Sequence, residues 1–435
     1  MLRPALIALW LGGPLAAADN ALPRADAVFA EHDPAQVALG QLLFYDPILS
    51  GNRTVACATC HHPGFGTSDG LSLGLGDGGT GLGPERRADP NNLPEQRIPR
   101  NAQALFNLGA AEFRRFFHDG RLEEDATKPN GIRTPLGEDM TLGFASALSA
   151  QSMFPVLSPD EMAGHYSEND VAQAVRLGVL TGPGGAWDII AQRVAAIPEY
   201  RSRFDALKGP GSDVSFIDIS DAIAAFIAVE WRADDSPFDR YLRDGSPLPP
   251  LAMEGMALFY GEAGCGTCHA GQFQTDHGFH AIAMPQIGPG KGARFESHAQ
   301  DTGRMRVTGR AGDAYAFRTP SLRHVTRTAP YGHSGAYASL SAVIRHHLDP
   351  ETALRAYGLE EAQLPTLDGA RDDRVLTDPT ETDAIAAANA LAPHSLTDRQ
   401  IDSLIAFLET LTDPTADQGR LGVPRSVPSG LPVDQ

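Results

Sequence analysis

The chain has 435 residues, of which 42% are hydrophobic and 20% charged, enough for two or three domains with buried cores. A formal charge of −19 argues against nucleic-acid binding, which needs basic patches, and favours a basic protein partner steered in by the acidic field. The 45 glycines and 33 prolines predict much irregular backbone, as in a chain wrapped around something other than its own core.

The first elements are a leader and a turn that carries two cysteines. Arg3 precedes an apolar run from Ala5 to Leu11, and Ala16-Ala17-Ala18 forms a small-residue exit. That layout predicts a cleaved secretory signal over residues 1–18 and export to a bacterial periplasm. No later segment has an apolar run long enough to span a membrane. The first cysteines follow in "CATCH", Cys57 to His61. A second pair stands in "CGTCH", Cys265 to His269, and these are the only four cysteines. Exported cysteines usually pair as disulfides. Here each pair is followed at once by histidine, the c-type haem attachment pattern. A redox C-x-x-C or half a zinc site would not explain the histidine after both pairs. Two covalent haem c groups are therefore predicted. Cys57, Cys60, Cys265 and Cys268 would attach them, and His61 and His269 would be the proximal iron ligands.

The lead-in to each motif is also shared. Gly40, Leu43, Phe44 and Tyr45 match Gly255, Leu258, Phe259 and Tyr260. This repeat predicts two cytochrome c-like haem domains in a mainly α fold with long loops. The first would cover residues 19–245, the second 246–412, with an extended tail over 413–435. Residues 66–98 read as a long loop over the first haem, and Ile217–Trp231 as an amphipathic helix burying Ile219, Ile223, Phe226 and Ile227. "DDSPFDRYLRDGSPLPP" reads as the linker between domains. Thr397 and Gln400 form a capping box for a final helix with Ile401, Leu404, Ile405 and Leu408 on its buried stripe.

In "SLSAVIRHHLDP" Ser339 is the expected N-cap, and Asp349-Pro350 the stop. Leu340, Val343, Ile344 and His347 fall on one stripe. His346 lies about 100° round the helix, left to solvent or to a hydrogen bond. Only one of the two can face a haem.

Taken together the chain resembles the bacterial di-haem cytochrome c peroxidase and MauG family from about Ala38 to Leu411. The resemblance is carried by "RNAQALFN" (Arg100–Asn107), "FFHDGR" (Phe116–Arg121), "AQSMFPVLSPDEM" (Ala150–Met162) and "FRTPSLRHVTRTAPYGHSG" (Phe317–Gly335). It implies that the first haem is the peroxide site and the second the electron-entry haem. Glu161 would be the distal acid/base and Gln151 its neighbour. By itself Glu161 also suits a first-turn helix acid after Ser158-Pro159, and Glu138 is a weaker rival. A calcium ion between the domains would be held by Asn101 and the carbonyls of Thr328 and Pro330, hard oxygen donors that suit it.

His118 stands where the family has an inter-haem tryptophan; a structural role is expected for it. His333 is likewise expected near the second haem without ligating it. No histidine lies between His62 and His118, so the first haem is expected to be five-coordinate, as in MauG. His347 falls where peroxidases place a distal Met and MauG a Tyr; a His/His second haem predicts a lower potential than in Met-ligated relatives. Met284 and Met305 are the alternative sixth ligands.

The resemblance implies an oxidoreductase that reduces hydrogen peroxide to water with electrons from a small cytochrome c or cupredoxin. It also admits a MauG-like enzyme that oxidises residues of a partner protein through a high-valent iron state. A non-enzymatic electron-transfer cytochrome is the third reading, and a homodimer is compatible with all three.

Overall fold

The computed structural model describes residues 22–292 and 298–434, so the leader expected over 1–18 lies outside the described residues. The fold is mainly α, with strands of two or three residues among the described residues. Two helix pairs organise it. The helix Pro34–Phe44 packs along Phe216–Glu230, and Pro250–Tyr260 packs along Asp398–Glu409.

The repeated glycine explains both crossings. A Cβ on Gly40 would fall 1.9 Å from the Ala222 carbonyl oxygen, and one on Gly255 would fall 1.8 Å from that of Ser403. Only glycine lets the helix backbones touch there. The aromatic pair one turn later fills the same place in each unit. Phe44 meets Phe226 and Trp231, with centroids 5.3 and 5.2 Å away. Phe259 meets Phe407 at 5.2 Å.

The helix caps follow the sequence. Ser215 and Asp218 form a capping box that starts Phe216–Glu230, and the expected Ile219, Ile223, Phe226 and Ile227 are buried on it. Thr397 and Gln400 cap Asp398–Glu409 in the same way. Its stripe is built from Ile401, Leu404, Phe407 and Leu408, while Ile405 is only half-buried.

Two segments differ from expectation. The expected linker contains a helix, Pro237–Asp244, capped by Ser236 and Asp239. Phe238 is fully buried in the second core, and Arg323 clamps Asp239 at 2.7 Å with both side chains out of solvent. The segment is therefore fixed by burial and by a partner far away in sequence. The tail is also structured: Val427 is buried in the first core, and Val423, Leu431 and Val433 pack against it.

Candidate haem sites

Each attachment turn follows its Phe-Tyr pair. Cys57–Cys60 is a single helical turn, and Cys265–Thr267 a 3₁₀ turn. His61 Nδ1 lies 3.0 Å from the carbonyl oxygen of Thr67, and His269 Nδ1 lies 3.0 Å from that of Gln274. A carbonyl only accepts, so each ring carries its proton on Nδ1 and leaves the Nε2 lone pair free for iron.

The surroundings fit a porphyrin. Cys57, Cys60, His61 and Glu161 are all desolvated by the surrounding protein, and with Gln151 they are half-buried. Burial pushes the Cys57 and Cys60 thiols up to about 12 and Cys265 to about 11. Such desolvated surroundings suit a macrocycle edge. Burial likewise depresses His61, and His269 to about 4, which keeps both imidazoles neutral as ligands must be.

Glu161 sits in one π-helical turn, Pro159–Ala163. The Ser158 carbonyl accepts from the N–H groups of Glu161, Met162 and Ala163 at 3.2, 3.1 and 2.9 Å. The turn is pinned from outside: Asp77 N–H donates to the Glu161 carbonyl at 2.9 Å, and Gly51 N–H to that of Met162 at 2.7 Å. A Cβ on Gly76 would fall 2.6 Å from Glu161 Cα, so the glycine-rich loop does lie directly on this turn. Burial raises the Glu161 carboxyl, opposed by the charges of Lys291 and Arg121. The Glu161 charge also helps raise the Cys60 thiol. Gln151 ends the helix Ala147–Gln151, half-buried. The rival Glu138 is exposed and pairs with Lys128 at 3.1 Å.

Opposite the second turn, the helix Leu340–Leu348 starts at Ser339 as expected. His347 Nδ1 lies 2.8 Å from the Val343 carbonyl of its own helix, again leaving Nε2 free. The nearby charge of His347 adds to burial in lowering His269. His346 is the more deeply buried of the pair: of the two fates open to it, a hydrogen bond applies and exposure does not. Its Nε2–H donates to the Ile282 carbonyl at 2.8 Å, and its Nδ1 accepts from the Tyr337 hydroxyl at 3.0 Å. Both its nitrogens are used, so it cannot ligate. Met284 is buried in a small cluster with Ala336 and Tyr337, and Met305 opens the short helix Met305–Thr308.

Between the two units, His118 Nε2 lies 3.2 Å from the Asn101 carbonyl. Burial, with Arg100 and His333 nearby, holds His118 well below its usual range. His333 stacks on Phe317 with centroids 3.7 Å apart. Both are neutral packed rings. Asn101 joins the units: its N–H donates to the His333 carbonyl at 3.0 Å and its side-chain amide to the Leu71 carbonyl at 2.8 Å. Thr328 Oγ1 donates to the Val325 carbonyl at 3.3 Å, and Pro330 follows on the next turn of chain.

Three groups gave no sequence signal. Asp69, buried, is raised to about 7 by desolvation and acts on Cys60. Arg86 donates to the Leu75, Gly76 and Gly81 carbonyls at 2.5, 2.7 and 2.7 Å, and so shapes the covering loop. Lys291 reaches Glu161's field from the second half of the chain, where burial lowers its ammonium. For Lys291, nothing in local spacing announces a contact made across so long a separation; Asp69 and Arg86 act within a loop that has no periodic pattern.

Residues 34–246 match the family model described as di-haem cytochrome c peroxidase. The methylamine utilization protein MauG of Paracoccus denitrificans is 30% identical over 407 residues, covering 88% of this chain and 89% of that protein. MauG of Methylorubrum extorquens is 29% identical over 390 residues, covering 88% and 80%. The cytochrome c551 peroxidase of Pseudomonas aeruginosa is 29% identical over 339 residues, covering 74% and 78%. The di-haem peroxidase BthA of Burkholderia thailandensis shares the fold, with TM-score 0.58 at 21% identity over 93% of this chain and 94% of that one. Family membership implies two covalently attached haem c groups. With its paired attachment turns and these matches, the chain belongs to the di-haem cytochrome c peroxidase and MauG family of oxidoreductases.

Proposed function

We propose that the chain reduces hydrogen peroxide to water at the haem held by Cys57, Cys60 and His61. Electrons from a small cytochrome c or cupredoxin enter at the haem held by Cys265, Cys268 and His269, with His347 as its sixth ligand. The observation that carries this reading is Glu161, a carboxyl raised by desolvation in a pinned π turn, whose charge acts on the Cys60 thiol. Haem iron supplies the redox chemistry. The chain's own part is to move protons: peroxide, two electrons and two protons give two waters. Glu161 takes a proton from the near oxygen and returns it to the far one, typically worth about 10²–10⁴ in rate. Burial that raises its carboxyl brings it closer to the working pH, and Gln151 would orient the peroxide beside it.

The two units, 19–245 and 246–412, would each carry one haem, in a periplasmic protein exported by the residue 1–18 leader. A calcium ion between them would need Asn101 to turn its oxygen inward beside the Thr328 and Pro330 carbonyls. The donors are neutral and hard, which fits calcium.

A MauG-like reading, with a partner protein as the group oxidised, is favoured by one observation. The two MauG relatives cover 88% of the chain against 74% for the cytochrome c551 peroxidase. Stopped-flow mixing of peroxide with the enzyme and reduced cytochrome c separates the two. Rapid multiple turnover of the donor supports the peroxidase. Peroxide consumption with negligible donor oxidation contradicts it and supports the second reading.

A further inference from the structure

The segment after Asp413 leaves the second unit and runs back across the first. Glu230 accepts hydrogen bonds from the N–H groups of Leu421 and Gly422 at 2.7 and 2.8 Å. Ser429 Oγ donates to Asp46 at 2.7 Å. The run reaches Asp434, whose Oδ2 accepts from Thr59 Oγ1 at 2.7 Å. Thr59 stands between the two haem cysteines, is 1% exposed, and accepts from Ala56 N–H at 3.0 Å, which closes the start of the attachment turn.

The other attachment turn is an internal control. Thr267 occupies the same place in "CGTCH", and it is exposed to solvent. The same residue in the same motif is thus buried and tied to a carboxylate in one unit and free in the other.

We infer that residues 420–434 are part of the first haem site, and that Asp434 is its positioning residue, acting through Thr59. A buried hydroxyl must place its proton, and a carboxylate acceptor gives a bond about twice as strong as a neutral one. That bond holds the turn carrying His61. It also sets a negative charge two residues from the iron ligand, on the side of the proximal histidine. Fixed negative charge near the iron favours its more oxidised state, and so lowers the first haem's potential. The second turn has a carboxylate near it too, Asp276, within 4.8 Å of the Cys268 sulfur, but it is bonded to His280 and not to the turn's own Thr267.

The inference rests on haem attachment at Cys57–His61, and not on which reaction follows. The test is a spectroelectrochemical titration of the full holoprotein, beside Asp434→Asn, Thr59→Val, Thr59→Ser and Thr267→Val. Haem is counted in each as the pyridine haemochrome. Asp434→Asn and Thr59→Val should raise the first haem's midpoint and leave the second's where it is. Thr59→Ser should restore it, and Thr267→Val should move neither. Two haems per chain with an unmoved first midpoint in Asp434→Asn overturns the inference, as does an equal shift of both haems. A wild-type count of one haem, missing at Cys57, overturns the attachment itself and the inference with it.

Discussion

The two haem-binding regions are alike where they hold and different where they act. Gly40 and Gly255 bring a helix pair into backbone contact. Phe44-Tyr45 and Phe259-Tyr260 pack the crossing, and His61 and His269 each lock Nδ1 on a backbone carbonyl at 3.0 Å. Across from the histidine the likeness ends. The first region presents Glu161, a carboxyl raised by burial, and the second presents His347 with a free Nε2. The repeated half of each unit is a holder for a cofactor. On the proposed reading, the half that is not repeated decides whether the iron is left open to a small oxidant or closed by a ligand.

The largest break in that comparison is expected at Glu161. Glu161→Ala should lower peroxide turnover by about 10²–10⁴, the range for a lost general acid/base. An unchanged rate would turn the chain into an electron-transfer cytochrome. A matching change at Glu138, which is exposed and paired with Lys128, should leave the rate as it is.

Next come the holders, which should respond alike. Gly40→Ala and Gly255→Ala each force a methyl onto a carbonyl oxygen less than 2 Å away, and each should cost about 1–3 kcal/mol, seen in urea unfolding. Sensitivity at only one of the two would break the equivalence of the helix pairs.

The extent to which this was legible in sequence follows the same division. The Gly-Leu-Phe-Tyr repeat and the Ser339 and Thr397 caps are local patterns, and the structure keeps them, whereas the helix phase that put His347 inward is met only in part, since His346 is the helix's buried residue. Taken alone, Ser158-Pro159 before Glu161 suits an ordinary helix start; the π turn is not local, since its geometry is set by Asp77 and Gly51 packing on it. The helix Pro237–Asp244 was hidden in a proline-rich stretch, although Phe238, Tyr241 and Leu242 have helical spacing. His346 could be left open only as solvated or bonded, since its partners Tyr337 and Ile282 come from other segments. The tail's valines pack on a unit that ends nearly two hundred residues before them, and no local period reports that.

A smaller effect separates the units by pH. His324 is fully buried and stacks on Phe106 at 3.8 Å, with Nε2 accepting from Asp413 N–H at 3.2 Å. Burial and nearby Arg323 pull it down to about 3. The folded state thus prefers the neutral ring. Its contribution is complete above the unfolded value of about 6.5 and is lost as pH falls from there toward 3, by at most about 1.4 kcal/mol per unit. Urea midpoints at pH 7 and pH 5 should differ less in His324→Asn than in the wild type. Equal slopes would remove His324 as a source of acid sensitivity.

The central claim is that one haem is open and the other closed by His347. Low-temperature EPR of the resting ferric protein, wild type beside His347→Gly, tests it most directly. One high-spin and one low-spin signal are expected in the wild type, with the low-spin signal converted to high spin in the variant. Two low-spin signals in the wild type, or a low-spin signal untouched by the substitution, would contradict it.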